Sequence, residues 1–348
     1  MRVIRRAIIT SSTLTSSNVP ETPPAEYNAG TTYAVDDLAS VTTGTVVAVY
    51  ESLQAGNTGN TPASSPLWWR LIGTTYTVYN AGTTYALDEI VISAVTNHEY
   101  QSVQAGNTGH ALTEPAWWLD RGSTNRHRMF DQVSASQTTR AQEIDVTFTV
   151  PNGRIDAVGL LNLSASTVRV IVSTVADGVI YDETANLISS GNVTNWYEFY
   201  FEPIIRRGDY VFTGIPAFAS PTVRAIISDP NGTAAIGSLI AGQSFDLGEA
   251  VQGARVGIRD FSRKEVSEFG DATLIERSYS SRAGIKTMLD IRKIDPAKAL
   301  LSELRASVSL WIGVDDIAST WILGWASEWN GELAYPWAEM TFDLEGIT

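Results

Sequence analysis

Cysteine is absent from the 348 residues of the chain, and histidine occurs only three times. Without cysteine the chain has no disulfide, no thiolate nucleophile and no cysteine-ligated zinc or iron–sulfur centre. The histidines, His98, His110 and His127, are far apart and do not form the HExxH spacing of a zinc hydrolase. A loop carboxylate such as Asp229 in the sequence DPNG could bind calcium, but DPNG is first a turn signal. We therefore predict no metal site and no cofactor.

Long apolar runs and positive charge are also scarce. No stretch approaches the roughly 18 consecutive apolar residues that cross a membrane, so we expect no membrane insertion. The apolar run after Arg6 stops after three residues, too short for a signal peptide, so we expect no export by the general secretory route. With 24 Lys and Arg against 38 Asp and Glu, the formal net charge is −14. Such a chain lacks the positive surface that binds phosphates, which excludes nucleic acid as an expected partner.

Catalytic motifs are missing as well. The sequence contains no G-x-S-x-G elbow, no Walker A loop and no dinucleotide-type glycine fingerprint. Acidic residues are adjacent at 36–37 and 315–316, but adjacent carboxylates in a strand point apart, whereas a glycosidase needs two carboxyls across a cleft. We therefore predict no catalytic residues and a protein that is not an enzyme.

An internal repeat is the clearest feature that is present. YNAGTTYAVDD begins at Tyr27 and YNAGTTYALDE at Tyr79, QAGNTG recurs at Gln54 and Gln104, and each copy ends on a tryptophan pair. The matched blocks occur in the same order, so the segment is a tandem duplication of a module of roughly 45–50 residues. Gly- and Asn-rich turn signals separate short β-branched runs, which predicts a small β unit.

The tryptophan pairs are the candidate binding residues. A flat aromatic face stacks on a sugar ring and the indole N–H adds a directional donor. Because consecutive side chains of an extended segment point to opposite faces, one tryptophan of each pair can lie in the core while its neighbour is exposed. The predicted carbohydrate contacts are Trp68, Trp69, Trp117 and Trp118, with Tyr33 and Tyr85 in support.

Each copy resembles the small chitin- and cellulose-binding modules attached to bacterial glycoside hydrolases. The shared order is a tyrosine, an acidic turn, a second tyrosine, a Gly/Asn-rich loop, a proline and a tryptophan. The first copy supplies Tyr33, Asp36-Asp37, Tyr50, residues 56–60, Pro66 and Trp68-Trp69, and the second supplies Tyr85, Asp88-Glu89, Tyr100, residues 106–110, Pro115 and Trp117-Trp118. The family often has Gly before the acidic residue, where this chain has Val35 or Leu87. The resemblance implies polysaccharide binding.

The remaining sequence predicts two further domains. Residues 126–280 contain many short candidate strands, among them EIDVTFTV, TVRVIVS and WYEFYFEPI, which favour a β-sandwich or jelly roll. This region resembles the galactose-binding-like jelly rolls of extracellular and phage proteins, which bind sugars or serve as spacers. Residues 281–348 predict a helix with Asp295 at its N-cap, followed by antiparallel strands. The end of the chain resembles the ends of phage structural proteins.

The predicted fold class is mainly β: two small tandem β modules, a sandwich or jelly roll, and a small α+β C-terminal domain. The predicted boundaries are residues 1–26 for an N-terminal arm or linker, 27–75 and 76–125 for the modules, 126–280 for the jelly roll and 281–348 for the C-terminal domain. The basic residues Arg2, Arg5 and Arg6 are expected to form an interaction arm.

These features favour a structural protein of a tailed-phage virion, in the tail tip, baseplate or collar, assembled in the host cytoplasm. We expect a homo-oligomer that contacts other virion proteins. Its modules are expected to bind host-surface polysaccharide through weak, multivalent contacts or to dock a neighbouring virion protein. One alternative is a bacterial non-catalytic polysaccharide-binding accessory protein, and another is a pure assembly adaptor without glycan binding. A depolymerase would require two carboxyls beside exposed tryptophans.

Overall fold

The protein is mainly β, as the sequence predicts. The computed structural model describes residues 1–151, 153–189, 195–201, 205–266, 271–315 and 317–347. Strands make up 54% of the described residues and helices 8%, which confirms the predicted fold class. Many of the longer strands bury every second side chain, as expected for sheets that cover a core with one face.

The N-terminal segment begins with an interior strand. The first 26 residues contain β1 (Arg2–Arg6) and β2 (Leu14–Ser17). β1 pairs with residues 242–246 on one side and with residues 310–312 on the other. Val3 and Ile4 are fully buried in separate apolar clusters. The prediction of an N-terminal arm is therefore wrong for β1, because both faces of this short strand are covered by segments that are distant in sequence.

The arginines of β1 are bound within the chain and do not form a free basic arm. Arg6 donates to the carbonyl oxygen of Asp131 at 2.9 Å, Arg5 to the carboxylate of Glu303 at 3.1 Å, and Arg2 lies 3.3 Å from the carboxylate of Asp315. Asp316, the second residue of that predicted acidic pair, lies outside the described residues.

The two sequence repeats fold as two antiparallel modules with the same strand order. Module 1 contains β3 (Leu38–Thr43), β4 (Val46–Ser52) and β5 (Trp69–Tyr76). Module 2 contains β6 (Thr84–Tyr85), β7 (Ile90–Ser93), β8 (His98–Ser102), β9 (Asn107–Thr108) and β10 (Trp118–Ser123). β4 is the middle strand of module 1 and β8 the middle strand of module 2. The short β6–β9 ladder of module 2 corresponds to a single bridge between Tyr33 and Asn57 in module 1.

A β domain follows, organised around one very long strand, and its inward side chains enclose one core. Most of its strands belong to one continuous sheet with β1 and the C-terminal strands, and we call this domain the sandwich. Its elements are β11 (Thr138–Thr149), β12 (Ala157–Ser164), β13 (Thr167–Thr174), β14 (Gly178–Asn186), β15 (Ile188–Ser189), α1 (Trp196–Phe201), β16 (Ile205–Arg206), β17 (Tyr210–Thr213) and β18 (Thr222–Asp246). The first part of β18 lies between β11 and β13, and its later part pairs with β12 and then with β1. Inward side chains such as Phe148, Leu160 and Phe212 fill the core.

The sequence DPNG is a bulge inside β18. Residues 229–232 stand opposite the single residue Gln142 of β11, where the register shifts. The Asp229 carboxylate accepts hydrogen bonds from Arg206 at 2.8 Å and from Ser166 at 2.7 Å. The hydrogen bond from Arg206 is the main reason that the pKa of Asp229 lies below its ordinary value. The carboxylate therefore has a structural role where β18 changes partners.

One predicted strand is a helix. The sequence WYEFYFEPI predicts a β-strand, but its first six residues form α1 (Trp196–Phe201). The aromatic residues repeat at four-residue spacing here, which suits a helix as well as alternation suits a strand. Residues 202–204, which belong to the same predicted strand, lie outside the described residues.

The C-terminal unit continues the sheet of β18 and β1. Its elements are β19 (Glu249–Ala250), β20 (Arg255–Asp260), β21 (Arg263–Val266), β22 (Ala272–Ile275), β23 (Tyr279–Asp290), α2 (Ile294–Glu303), β24 (Ser309–Ile312), β25 (Trp321–Ala334) and β26 (Trp337–Gly346). The sheet order is β18–β1–β24–β25–β26–β23, with β19 and β20 beyond β23. The predicted helix is present, but it begins at Ile294, so Asp295 lies in its first turn.

Candidate functional site

Each module is built around a triad of aromatic rings. In module 1 the ring centroids of Tyr33 and Trp69 are 4.9 Å apart at an interplanar angle of 72°, and Tyr27 meets Trp69 edge-on at 5.9 Å. Module 2 repeats the arrangement, with 5.3 Å between Tyr85 and Trp118. Edge-to-face contacts of this kind stabilise small cores that have no disulfide.

Four of the six predicted sugar contacts belong to these cores. Tyr33 is 8% exposed, Tyr85 2%, Trp69 2% and Trp118 3%. The indole Nε1 of Trp69 donates to the carbonyl oxygen of Asn60 at 2.8 Å, and that of Trp118 donates to an equivalent carbonyl at 3.0 Å. Their prediction as contact residues is wrong, because neither their faces nor their donors are available to a ligand.

Trp68 and Trp117 are the half-buried members of the pairs. Each packs with part of its ring on the aromatic triad of its module. Unlike the indole nitrogens of Trp69 and Trp118, their Nε1 atoms have no acceptor among the described residues. A partly exposed indole with a free N–H can both stack and donate a hydrogen bond.

The environments of the two tryptophans differ on one side. The imidazole of His110 stacks on Trp117, with ring centroids 3.8 Å apart and an interplanar angle of 10°. His110 is held in turn by Glu114, whose carboxylate lies 3.1 Å from Nδ1. The backbone N–H of Ala111 is the main reason that the pKa of Glu114 lies below its ordinary value. Module 1 has Asn60 in place of this histidine, so Trp68 carries no stacked imidazole.

The repeated sequence blocks encode the frame that presents these tryptophans. The side-chain amide of Asn57, in QAGNTG, donates to the hydroxyl of Ser52 at 3.0 Å and to the carbonyl oxygen of Trp68 at 3.3 Å. Asn107 makes the same two contacts in module 2, at the same distances. The blocks therefore repeat because both modules need the same hydrogen bonds around the tryptophan pair.

The acidic turn also has a structural reason. Asp36 and Asp88 adopt the left-handed conformation, with φ of 67° and 68°, which Gly favours and Asp tolerates. The family often has Gly one residue earlier, where this chain has Val35 and Leu87. In this chain the residue in the left-handed conformation is the aspartate itself. The next carboxylate, Asp37, accepts the backbone N–H three residues earlier at 2.7 Å. The acidic residues thus shape the turn themselves.

The two modules are joined without a flexible linker. The backbone N–H of Thr77 donates to the carbonyl oxygen of Thr45 in module 1 at 2.9 Å, and its carbonyl accepts from Ile92 in module 2 at 3.0 Å. One residue therefore belongs to the hydrogen-bond frames of both modules, which fixes the two tryptophan surfaces relative to each other.

Buried ion pairs dock the modules on the sandwich. Glu51 of module 1 lies 2.8 Å from Arg140 of β11, and their side chains are 14% and 8% exposed. Glu99 of module 2 lies 2.9 Å from Arg128. Arg128 directly precedes Met129, a residue of the sandwich core. Burial raises the pKa of Glu99 above its ordinary value although Arg128 opposes the shift. The docking is polar but largely enclosed.

A third buried carboxylate lies where the modules meet the sandwich. Glu21 accepts from the hydroxyl of Thr124 at 2.8 and 2.9 Å and lies 3.4 Å from Nδ1 of His127. Its backbone oxygen accepts from Thr75 at the end of module 1. The segment predicted to be a linker therefore includes a residue that ties both modules together.

An aromatic surface that sequence reasoning missed lies on α1. The rings of Trp196, Tyr197, Tyr200 and Phe201 are exposed. They form two pairs four residues apart, with centroid distances of 6.3 Å for Trp196 and Tyr200 and 4.8 Å for Tyr197 and Phe201. The four-residue aromatic spacing was the signal that could have revealed this surface.

The histidines lie in separate places. His98 pairs with Asp120 at 2.9 Å, His110 with Glu114 and His127 with Glu21. Among the described residues no group of three or more potential ligands could hold a metal ion. Within the same ranges, no helix is both long enough and apolar enough to cross a membrane.

Comparison with known proteins identified no relative. No protein-family model, no curated protein and no solved structure matches the chain.

Proposed function

We propose that the chain is a non-enzymatic structural and attachment protein of a tailed-phage virion, located in the tail tip, baseplate or collar. Its two modules bind host-surface polysaccharide through Trp68 and Trp117. The observation that carries this proposal is the presentation, at the same place in two modules, of a half-buried tryptophan whose indole N–H is free. The resemblance of each module to chitin- and cellulose-binding modules supports the choice of ligand.

The chemistry of such a site is binding rather than turnover. The apolar face of a pyranose ring can stack on the exposed part of the indole while a sugar hydroxyl accepts the N–H. Glu114, three residues before Trp117, is engaged by the backbone N–H of Ala111 at 2.9 Å and by His110. It therefore has a structural role in the turn that precedes the tryptophan pair.

Rigid docking supports multivalent binding. The shared residue Thr77 and the ion pair between Glu51 and Arg140 hold the two tryptophans at a fixed separation. Binding at one site then places the other near the same polymer with little ordering cost. Weak individual contacts become strong attachment when several copies of the chain engage one surface.

The stacked imidazole predicts unequal contributions from the modules. Because His110 covers one side of Trp117, we expect Trp68 to offer the larger stacking surface. Replacing Trp68 with alanine should lower the affinity of the full-length protein for its polysaccharide by roughly tenfold or more. Replacing Trp117 should cost less, and the double replacement should abolish binding because both anchors are lost.

The test is a pull-down of the full-length protein on insoluble chitin, on cellulose and on host envelope polysaccharide. Leu71→Ala, at an exposed position of module 1, is the matched control and should bind like the wild type. Retained binding in a folded double variant would contradict the tryptophan site, and loss of binding in Trp196→Ala would then assign it to α1. A folded wild type that binds none of these glycans would favour the assembly adaptor instead.

A further inference from the structure

One sheet face of the C-terminal unit is uncovered and sharply divided in charge. The inner face of β23 and β26 packs on α2, where Met340 and Phe342 share a core with Ala297 and Leu301. The opposite face, which we call the outer face, comprises the outward side chains of β20, β23, β26 and β25. Its strands follow one another in that order.

The β25–β26 half of the outer face is acidic. Glu328 is directly opposite Asp343, and Glu332 is directly opposite Glu339. Like charges in directly opposed positions destabilise a β ladder. Glu339 is paired with Lys286 at 3.1 Å, but Glu328, Glu332 and Asp343 have no ion-pair partner in the described part of the chain.

The β20–β23 half is basic. Lys286 and Arg282 of β23 point outward, and Arg259 and Arg282 share the carboxylate of Glu345 at 3.0 and 2.9 Å. Arg255 of β20 lies in the same cross-strand row as Asp343 and Glu328, separated from them by Gly284. Within the described residues, Arg255 forms no ion pair.

The shape of the outer face also changes from one side to the other. A groove lined by Gly257 and Gly284 begins beside Arg255 and Arg282 and extends to Asp343 and Glu345 of β26. The space above Gly257 is open. In the row that contains Gly257, the opposite end is the exposed ring of Trp325. This row therefore has open space at its Gly257 end and a bulky aromatic side chain at its Trp325 end.

We propose that the outer face is an interface with a second copy of this chain, related by a two-fold axis that runs along the strands between β23 and β26. Such an axis places each cross-strand row of one copy opposite the same row of the second copy, in reversed order. The contact is therefore isologous. Arg255 then faces Glu328 of the second copy, and Trp325 of the second copy enters the groove above Gly257. In these two rows charge and shape are both self-complementary under this one operation. In the row through Met288 and Glu339 the operation brings Glu249 of β19 opposite Glu332 of the second copy, and the contacts of the other rows must offset that like-charge pair.

The inference deepens the assembly part of the proposed function and does not depend on glycan binding. It predicts that the full-length protein forms dimers whose dissociation constant rises at least about tenfold between about 50 mM and about 500 mM NaCl. Glu328→Lys and Arg255→Glu should each weaken the dimer by at least about tenfold, and their combination should restore it. Glu276→Lys, an exposed charge reversal between β22 and β23, should leave the dimer unchanged.

Sedimentation velocity on the full-length variants measures these constants. Loss of the dimer through misfolding is separable, because Glu328→Lys removes a like-charge pair with Asp343 and should not lower the thermal midpoint of unfolding. A wild type that is monomeric at about 100 µM in low salt would overturn the inference. The inference would also be overturned if neither single charge reversal weakened the dimer, or if the double variant did not restore the affinity that the single variants lose. Glycan pull-downs on the same variants show separately whether attachment persists.

Discussion

Replacement of Trp118 by alanine should unfold module 2 while the sandwich stays folded. The side chain is 3% exposed and contacts the rings of Tyr79 and Tyr85 at centroid distances of 5.6 and 5.3 Å. Removing a buried tryptophan costs about 3–5 kcal/mol, which a module of this size, without a disulfide, cannot absorb. Hydrogen exchange should show loss of amide protection over residues 79–123, and protection of β11 and β18 should persist.

The matched control is the neighbouring Trp117→Ala. Because that ring is only half-buried, its loss should lower the free energy of unfolding by about 1 kcal/mol and leave the exchange pattern of module 2 intact. Equal effects of the two replacements would contradict the assignment of one tryptophan to the core and the other to the surface.

Replacement of Glu51 by alanine should release module 1 from the sandwich. Its carboxylate lies 2.8 Å from Arg140 and 3.3 Å from Arg70, so its removal leaves the enclosed guanidinium of Arg140 without a counter-charge. Breaking a buried ion pair from one side costs about 3–5 kcal/mol. Urea unfolding should show this loss, and hydrogen exchange should increase along β5 and β11, where the module meets the sandwich.

The control removes both charges together. A protein with Glu51→Ala and Arg140→Met contains no unpaired buried charge, so much of the lost free energy of unfolding should return. If the single replacement costs less than about 1 kcal/mol, the ion pair is not what holds module 1 in place.

Much of the fold could be predicted because it depends on local patterns. The repeat was visible as matched blocks, and the same hydrogen bonds around Asn57 and Asn107 explain why those blocks recur. The helix near Asp295 and the strands after it follow from periodicity and from Pro296 near the helix start, although the helix begins at Ile294, two residues before its predicted first residue. These features need only neighbours in sequence.

The predictions that were wrong concern segments whose partners are distant. The two apolar residues Val3 and Ile4 are too short a run to predict an interior strand. The strands that pair with them comprise residues 242–246 and 310–312. In DPNG the turn residues bend a continuous strand because β11 pairs with β18 on both sides of them. The sequence WYEFYF fits both the period of a strand and the period of a helix. We predicted the strand, whereas the segment forms a helix.

By itself, the sequence determined the mainly β class, the duplication and the aromatic composition of each module, because alternation and turn residues act over a few positions. The tertiary structure alone decided which tryptophan of each pair is available. Alternation states that Trp68 and Trp69 face opposite ways, but the pairing of β5 with β4 decides which way is inward. It also decided that carboxylates of β25 and β26 stand opposite each other, since register is set by pairing between strands and not by either strand alone.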